Sequence, residues 1–235
     1  MRCEFPNYEA LSQAAAKNIL LVGQRCLAEK GRFDLVLSGG KTPARTYEIL
    51  AAKAQENRGL WNKTRVFWGD ERCVPPDDPR SHYHMAKLCL LDPLKIPPVQ
   101  IHRIEAEDPN PQEAARHYES IFPAQPDLLL LGMGEEGHTA SLFPGSPALD
   151  ETRRRLVPVE VPALPPLRIT ITPPVIAAAR TVFVLASGSN KAEALRRVFA
   201  KDGDVHETPA RLVRDGVWFV DAEAAKGIVE KPERS

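Results

Sequence analysis

Short apolar runs alternate along the chain with longer stretches in which hydrophobic residues recur every three or four positions. The short runs predict buried strands, which fall at 33–37, 65–68, 100–104, 128–131, 156–161, 168–172, 182–186 and 217–220. The periodic stretches predict helices, which cover about 7–29, 42–54, 81–91, 110–121, 174–179, 191–200 and 221–226. Strands and helices that alternate in this way are typical of a mostly parallel sheet covered by helices on both faces. No linker or repeat divides the chain, so we expect one α/β domain over residues 1–235, with a frayed tail at 231–235.

Two of the predicted helices begin with sequence signals for a helix start. Thr42 is expected to cap the second helix, with Pro43 in its first turn. Asn110 and Pro111 give the same signal for the helix over 110–121.

Composition and charge narrow the class of protein. Lysine and arginine together number 31, as do aspartate and glutamate, so the formal net charge is zero. This balance argues against a nucleic acid or a membrane surface as partner. The four cysteines are widely spaced, which favours reduced thiols in the cytoplasm over a disulfide framework or a zinc site. The apolar stretch 14–23 is too short to span a membrane and no signal-peptide pattern opens the chain, so we predict a cytoplasmic location.

The segment Leu128–Pro144 is the strongest candidate for chemistry. An apolar run leads directly into glycines at 132, 134 and 137 and then into His138. Sites of open α/β sheets form at the carboxyl ends of strands, and an imidazole titrates near neutral pH. The alternative is a tight turn that carries a surface histidine.

A second strand end carries the pattern of an anion site. Gly39 and Gly40 follow the strand over 33–37 and precede a helix, so their backbone N–H groups and the helix terminus favour a phosphate. The spacing is neither that of a P-loop nor that of a dinucleotide fingerprint. An ordinary strand-to-helix turn explains the same residues equally well.

Charged residues follow a third strand. Asp70, Glu71 and Arg72 come directly after the strand over 65–68, and the planar fork of an arginine suits a phosphate. A solvated charged loop is the competing interpretation.

The second half of the chain adds three basic features. Lys191 follows the strand over 182–186 and starts a helix, where a cation is unfavourable unless an anion lies nearby. Arg168 opens a strand and is either a site residue or a charge on a sheet edge. The cluster 153–155 of three arginines is expected to be a solvated loop.

The recurrence of such residues at separate strand ends favours a functional site over isolated surface features. A parallel sheet brings these ends to one edge, where cations and backbone donors would bind a small anion, most simply a sugar phosphate. One histidine beside carboxylates, without a Gly-x-Ser-x-Gly motif, indicates general acid–base catalysis. His138 lacks the second histidine of a His-Glu-x-x-His motif, so we predict no metal.

Five motifs of this chain also occur, in this order, in 6-phosphogluconolactonases. They are Ser38-Gly-Gly-x-Thr-Pro43, Asp70-Glu-Arg72 followed by Val74-Pro75, Leu131-Gly-Met-Gly-x-x-Gly-His-Thr-Ala-Ser-Leu-Phe-Pro144, Arg168-Ile-Thr170 and Gly188-x-x-Lys191-Ala192. The chain therefore resembles that family over nearly its whole length, most specifically around His138. The resemblance implies a Rossmann-like three-layer α/β sandwich. It also implies hydrolysis of 6-phospho-D-glucono-1,5-lactone to 6-phospho-D-gluconate, in the oxidative pentose phosphate pathway, with no cofactor.

The resemblance also implies roles for individual residues and the class of partner. The catalytic residues would be His138, as the general base, and Asp70. The residues that bind the substrate or its phosphate would be Ser38, Gly39, Gly40, Lys41, Thr42, Arg72, Gly134, Arg168 and Lys191. The partner is then a small sugar-phosphate lactone, not a nucleic acid or a membrane, and no sequence signal points to an oligomeric state.

Three residues depart from the usual family pattern. Lys41 stands where the family usually has Ser, and Glu136 replaces the usual Asp two residues before the histidine. His82 stands where Asn is frequent. None of these changes removes a residue that the implied mechanism needs.

Two other functions remain open at the level of sequence. An amino-sugar-phosphate deaminase of the same fold typically has Tyr after the acid pair and Ile-Ala-Phe-Asn-Glu-Pro after the histidine, where this chain has Arg72 and Thr139–Pro144. A non-catalytic sugar-phosphate sensor would need an interaction segment, for which the chain has no spare basic or linker-connected region.

Overall fold

The computed structural model describes residues 1–226 and 228, so the predicted frayed tail at 231–235 lies outside the described residues. The strands are Arg2–Phe5 (β1), Phe33–Leu37 (β2), Thr64–Trp68 (β3), Asp70–Arg72 (β4), Leu128–Gly132 (β5), Leu156–Glu160 (β6), Leu167–Ile171 (β7), Val182–Ala186 (β8) and Val217–Asp221 (β9). The α-helices are Tyr8–Lys30 (α1), Lys41–Ala52 (α2), Arg58–Trp61 (α3), His82–Ala86 (α4), Asp92–Leu94 (α5), Pro111–Ile121 (α6), Pro173–Ala178 (α7), Ala192–Phe199 (α8) and Ala222–Ala225 (α9).

Six strands form a parallel sheet in the order β1-β9-β8-β5-β2-β3. Its central strand β5 is buried on both faces, with Leu128, Leu129 and Leu130 at 0% exposure. A strand covered on both faces reads as a continuous apolar run, as this one does. The predicted α/β class is confirmed.

A second, antiparallel sheet has the order β4-β7-β6. The strands predicted at 156–161 and 168–172 exist as β6 and β7, but they belong to this sheet and not to the parallel one. Their partner β4 was not predicted, because three consecutive charged residues have the composition of a loop. The edge strand β1 was also missed, since four residues of mixed polarity give no periodic signal.

The strand predicted at 100–104 is wrong. Residues Pro98–Gln100 form a 3₁₀ turn, and Ile101 makes an isolated bridge to Val66. Gln100 is used by this turn, and pairing with β3 is limited to the single bridge at Ile101.

Of the two predicted helix caps, the one at Asn110 is present and the one at Thr42 is not. Asn110 caps α6, since its Oδ1 accepts from the backbone N–H groups of Gln112 and Glu113 at 3.2 and 3.3 Å. The cap predicted at Thr42 is wrong: Gly40 precedes the first residue of α2, and Thr42 lies within the helix. Gly40 has φ +86°, a conformation that favours glycine. The helix predicted at 81–91 continues through a π turn at Lys87–Leu91 into α5.

The remaining global expectations concern thiols and membranes. The four cysteines are free. Within residues 1–226 and 228, no helix is long and apolar enough to cross a membrane. The cytoplasmic location stays a prediction.

Two buried carboxylates hold the amino ends of β2 and β5 together. The backbone N–H of Asp34 donates to Asp127 Oδ2 at 2.8 Å, and the N–H of Asp127 donates to the Asp34 carbonyl at 3.1 Å. Arg65 Nε lies 2.7 Å from Asp34 Oδ1, and Lys30 Nζ lies 2.8 Å from Asp127 Oδ2. Burial opposes ionisation of Asp34, but Arg65 and other cations outweigh it and lower the pKa of the carboxyl.

We expect Asp34→Asn to lower the free energy of unfolding by about 2 kcal/mol at pH 7, because Arg65 loses a charged partner in a partly buried site. The folded-state pKa of Asp34 lies below the unfolded value. Its contribution is therefore present above the unfolded pKa and is lost as the pH falls through the folded pKa. Urea unfolding from pH 7 down to pH 3 should show a difference between variant and wild type that shrinks with acid. Asp202→Asn, at an exposed position, is the control, and a difference that does not change with pH would contradict this account.

Candidate active site

A cleft of about 560 Å³ opens where β2, β5 and β8 end. The structure brings to this cleft every residue that the sequence singled out as catalytic or binding: Ser38, Gly39, Gly40, Lys41, Thr42, Asp70, Arg72, Gly134, His138, Arg168 and Lys191. Carboxyl ends of parallel strands meet at one edge of a sheet, which explains why residues so far apart in the chain converge. The binding and catalytic roles of these residues stay predictions.

His138 lies at the floor of the cleft and is not a surface histidine. Its side chain is 24% exposed, and its ring stacks on Phe143 with centroids 4.0 Å apart and planes 18° apart. Nδ1 lies 3.1 Å from Glu136 Oε2, within ion-pair distance but without the alignment of a hydrogen bond. Burial lowers the pKa of His138, and the Glu136 carboxylate opposes part of that shift. Burial therefore favours the neutral form of the imidazole, which lies beside a carboxylate.

The glycine-rich turn before His138 leaves no room for a side chain at position 134. The N–H of Gly134 donates to the His138 carbonyl at 2.9 Å, and the N–H of Gly137 donates to the Gly134 carbonyl at 3.1 Å. A Cβ on Gly134 would lie 2.1 Å from His138 Nδ1 and 2.5 Å from Glu136 Oε2. Glycine at 134 is thus needed for the histidine and the glutamate to meet.

The segment after His138 is hydrogen-bonded to the antiparallel sheet. Ser141 Oγ donates to Asp70 Oδ2 at 2.7 Å, and the Ser141 N–H donates to Thr170 Oγ1 at 3.1 Å. Burial opposes ionisation of Asp70, but the facing His82 ring and the Ser141 hydroxyl outweigh it and hold the pKa of the carboxyl well below its usual range. Asp70 is therefore a buried carboxylate of the cleft.

Glu71 has a structural role that the sequence did not reveal. Its carboxylate is 3% exposed and accepts from Ser81 Oγ at 2.9 Å and from the backbone N–H groups of His82 and Tyr83 at 2.8 Å. Acidic side chains stabilise helix starts, but no local pattern connects position 71 with a helix ten residues later. The interpretation of residues 70–72 as a solvated loop is wrong, because they form β4 with Asp70 and Glu71 buried.

His82, held by Glu71, packs closely against the loop over 38–42. Its Nδ1 lies 3.1 Å from the Asp70 carbonyl and 3.3 Å from Asp70 Oδ1. A Cβ on Gly39 would lie 1.9 Å from the His82 ring, so the loop approaches the ring only because residue 39 is glycine. The departure from the family pattern at His82 therefore retains a polar contact to Asp70.

Two tyrosine hydroxyls fix the ends of the loop over 38–42. The Tyr47 hydroxyl donates to the Ser38 carbonyl at 2.7 Å and accepts from the Ser38 N–H at 3.1 Å. The Tyr8 hydroxyl donates to the Thr42 carbonyl at 2.9 Å. Tyr8 also lines the cleft, and sequence analysis missed it because a tyrosine at the start of an amphipathic helix looks like a core residue.

Arg168 and Arg72 face one another across the antiparallel sheet. They are directly opposite in the register of β4 and β7. Arg168 lies on the middle strand and is 4% exposed, so the interpretation as an edge charge is wrong. Burial and the neighbouring Arg72 both lower the pKa of Arg168. Like charges directly opposite one another in a sheet are destabilising.

Lys191 approaches the cleft from the loop after β8. It ends a 3₁₀ turn and immediately precedes α8. Its neighbour Asn190 donates from Nδ2 to Glu135 Oε1 at 2.6 Å, which connects this loop to the turn before His138. Glu135 and Asn190 also line the cleft, and neither was predicted.

The predicted solvated arginine cluster is tested by the described residues. The cluster at 153–155 is not wholly solvated, because Arg154 Nε lies 2.7 Å from Glu119 Oε2 and the Arg155 guanidinium donates to the Phe122 carbonyl at 3.1 Å.

Among residues 1–226 and 228, no group of three or more His, Cys, Asp or Glu side chains is placed to hold a metal ion.

We expect Gly134→Ala to lower kcat by about 10-fold or more, because the new methyl displaces the His138 imidazole and misplacement of a catalytic group is costly. Steady-state kinetics and thermal unfolding of the same preparation check this. Gly59→Ala is the matched control, since a Cβ there meets nothing within 4 Å. Wild-type kcat in the Gly134 variant would contradict the packing described.

Comparison with known proteins identifies the family of the chain. The family described as glucosamine-6-phosphate isomerases/6-phosphogluconolactonase matches residues 6–220. A 6-phosphogluconolactonase of a Nostoc species is 40% identical over 232 residues, which cover 93% of this chain and 94% of the relative. The human 6-phosphogluconolactonase is 38% identical, with 94% of this chain and 91% of the relative covered.

Solved structures show the same fold. The 6-phosphogluconolactonase of Trypanosoma brucei superposes with a TM-score of 0.85 at 28% identity, with 97% of this chain and 98% of that chain covered. A glucosamine-6-phosphate deaminase superposes with a TM-score of 0.82 at 22% identity, over 97% of this chain and 99% of that chain, and shows likeness of fold alone. The chain belongs to the glucosamine-6-phosphate isomerase/6-phosphogluconolactonase family.

Proposed function

We propose that this protein hydrolyses 6-phospho-D-glucono-1,5-lactone to 6-phospho-D-gluconate and that His138 is the general base. The observation that carries the proposal is the desolvated His138 imidazole beside Glu136, in a cleft that also presents cations. An imidazole with a lowered pKa is neutral near pH 7 and can accept a proton from water. The lactonase relatives at 38–40% identity over most of the chain support the same reaction.

The phosphate of the substrate is held by the Gly39-Gly40 backbone, by Arg72 and by Lys191. Backbone N–H groups at a helix start are a general anion site, and the tyrosine hydroxyls hold this loop in place. Lys41 and Thr42 flank the loop, with Ser38 at its beginning.

Hydrolysis then proceeds in two steps. His138 takes a proton from water as the water oxygen bonds to the lactone carbonyl carbon. The protonated His138 then gives a proton to the ring oxygen as its bond to that carbon breaks. The Asp70 carboxylate favours the protonated form of His138, and so stabilises the ion that exists between the steps.

We expect His138→Asn to lower kcat by about 10²–10⁴-fold, because positioned acid–base catalysis supplies a factor of that size. The assay follows the lactone as it is generated and subtracts spontaneous hydrolysis. His117→Asn removes an exposed histidine of α6 and should keep wild-type turnover. Near-wild-type kcat in a folded His138 variant would disprove the role of general base.

The pH profile offers a separate check. The neutral form of His138 is the base and burial lowers its pKa, so kcat/KM should be constant near pH 7 and fall in acid with a midpoint below about 6.5. The Glu136 carboxylate raises the pKa of His138, so Glu136→Gln should move that midpoint to still lower pH. Glu135→Gln removes an equal charge one residue away and serves as the control for the midpoint. A midpoint that rises in Glu136→Gln would contradict the assignment.

A further inference from the structure

The Arg168 guanidinium is a buried charge without a carboxylate in contact. Nε donates to the Pro165 carbonyl at 3.1 Å, and Nη1 lies 3.5 Å from Ser141 Oγ. In the part of the chain that the structure describes, no carboxylate oxygen lies within 4.0 Å of it. Buried charges are normally paired, so this guanidinium has donor capacity left for a ligand in the cleft.

Arg168 and the proposed general base contact the same aromatic ring. The His138 ring stacks on Phe143 at 4.0 Å, and Arg168 Cζ lies 5.6 Å from the centroid of the same Phe143 ring. Phe143 therefore holds both side chains. The Arg168 charge is also one of the causes that lower the pKa of His138. Arg168 and His138 thus line the same cleft, in which His138 would activate water.

Arg72, which is opposite Arg168 in the sheet, points to a different part of the cleft. Arg72 is only half-buried, and its guanidinium donates to the Arg80 carbonyl on the loop before α4. Arg168 instead points toward Ser141 and Phe143. The two arginines thus occupy different parts of the cleft although their strands are adjacent.

Two anionic centres fit the proposed reaction. The phosphate is one, and the lactone carbonyl becomes the second as water adds to it. A fixed donor in a water-poor site stabilises such developing charge strongly, and removal of one donor commonly costs about 10²–10³ in kcat.

We propose that Arg168 is the catalytic residue that stabilises the oxyanion formed at the lactone carbonyl, a role that rests on the proposed lactonase function. As the water oxygen bonds to the carbonyl carbon, the C=O π pair moves onto the oxygen, and an N–H of Arg168 donates to it. When the intermediate collapses, the pair re-forms C=O, the bond from carbon to ring oxygen breaks, and His138 protonates the ring oxygen. The carboxylic acid formed in this way loses its proton to solvent, and the resulting carboxylate remains next to Arg168 until it leaves.

The test separates carbonyl stabilisation from phosphate binding. We measure kcat for 6-phosphogluconolactone, and the inhibition constant of glucose 6-phosphate, which has the phosphate but no lactone carbonyl. Arg168→Met should lower kcat by about 10²-fold or more while the inhibition constant stays within about twofold. Arg72→Ala should instead raise the inhibition constant of glucose 6-phosphate more than it lowers kcat. Arg153→Met, at an exposed position, should change neither.

Arg168→Lys covers the case in which Arg168→Met fails to fold, because the lysine keeps the charge but loses the planar fork. Its kcat should fall at least about 10-fold with the inhibition constant unchanged. Unchanged kcat in either folded variant, or an inhibition constant that rises as in Arg72→Ala, would overturn the proposal. A wild-type enzyme without lactonase activity would overturn the proposed function itself, which is a different outcome from the selective loss in the variants.

Discussion

The buried hydrogen bond from Ser141 Oγ to Asp70 Oδ2 at 2.7 Å joins the two sheets of this molecule at the cleft. Ser141 belongs to the segment that leaves the central parallel strand β5, and Asp70 lies on the first strand of the antiparallel sheet. The neighbouring bond from the Ser141 N–H to Thr170 Oγ1 extends the contact to β7. His138 lies in the same segment, three residues before Ser141.

This contact also explains the arrangement of charge. The antiparallel sheet presents Asp70, Arg72 and Arg168 toward the cleft, while the parallel sheet supplies the glycine loop, His138 and Lys191 from its strand ends. The Asp70 carboxylate therefore lies among cations and close to the His138 imidazole. Each sheet alone would carry half of a site, and neither half contains both the base and the buried guanidinium.

Sequence periodicity was sufficient for five of the six strands of the parallel sheet, all but the edge strand β1, because those strands read as apolar runs. The same reasoning located the cleft residues, since glycines and charges directly after such runs meet at one edge. It failed for β4, where three charged residues form a strand only because β7 pairs with them. It also failed for Glu71, whose partners at 81–83 are found through tertiary structure and not through any local pattern.

The contacts of the loop over 38–42 also could not be predicted from the sequence. The need for glycine at 39 arises from the His82 ring, which lies 1.9 Å from where a Cβ would be, and the two positions are far apart in the chain. The role of Tyr8 depends on a hydroxyl that reaches a carbonyl of α2, while its spacing fits the apolar face of α1. Contacts of this kind between distant segments have no periodic signature.

The central claim is that the cleft catalyses addition of water to a phosphorylated lactone. The most direct measurement is ³¹P NMR of 6-phosphogluconolactone and, in a parallel sample, of glucosamine 6-phosphate, each with a catalytic amount of the wild-type protein. If the protein is a lactonase, 6-phosphogluconate forms faster than by spontaneous hydrolysis and glucosamine 6-phosphate is unchanged. Decay of the lactone at the spontaneous rate, or conversion of glucosamine 6-phosphate with release of ammonia, would contradict it.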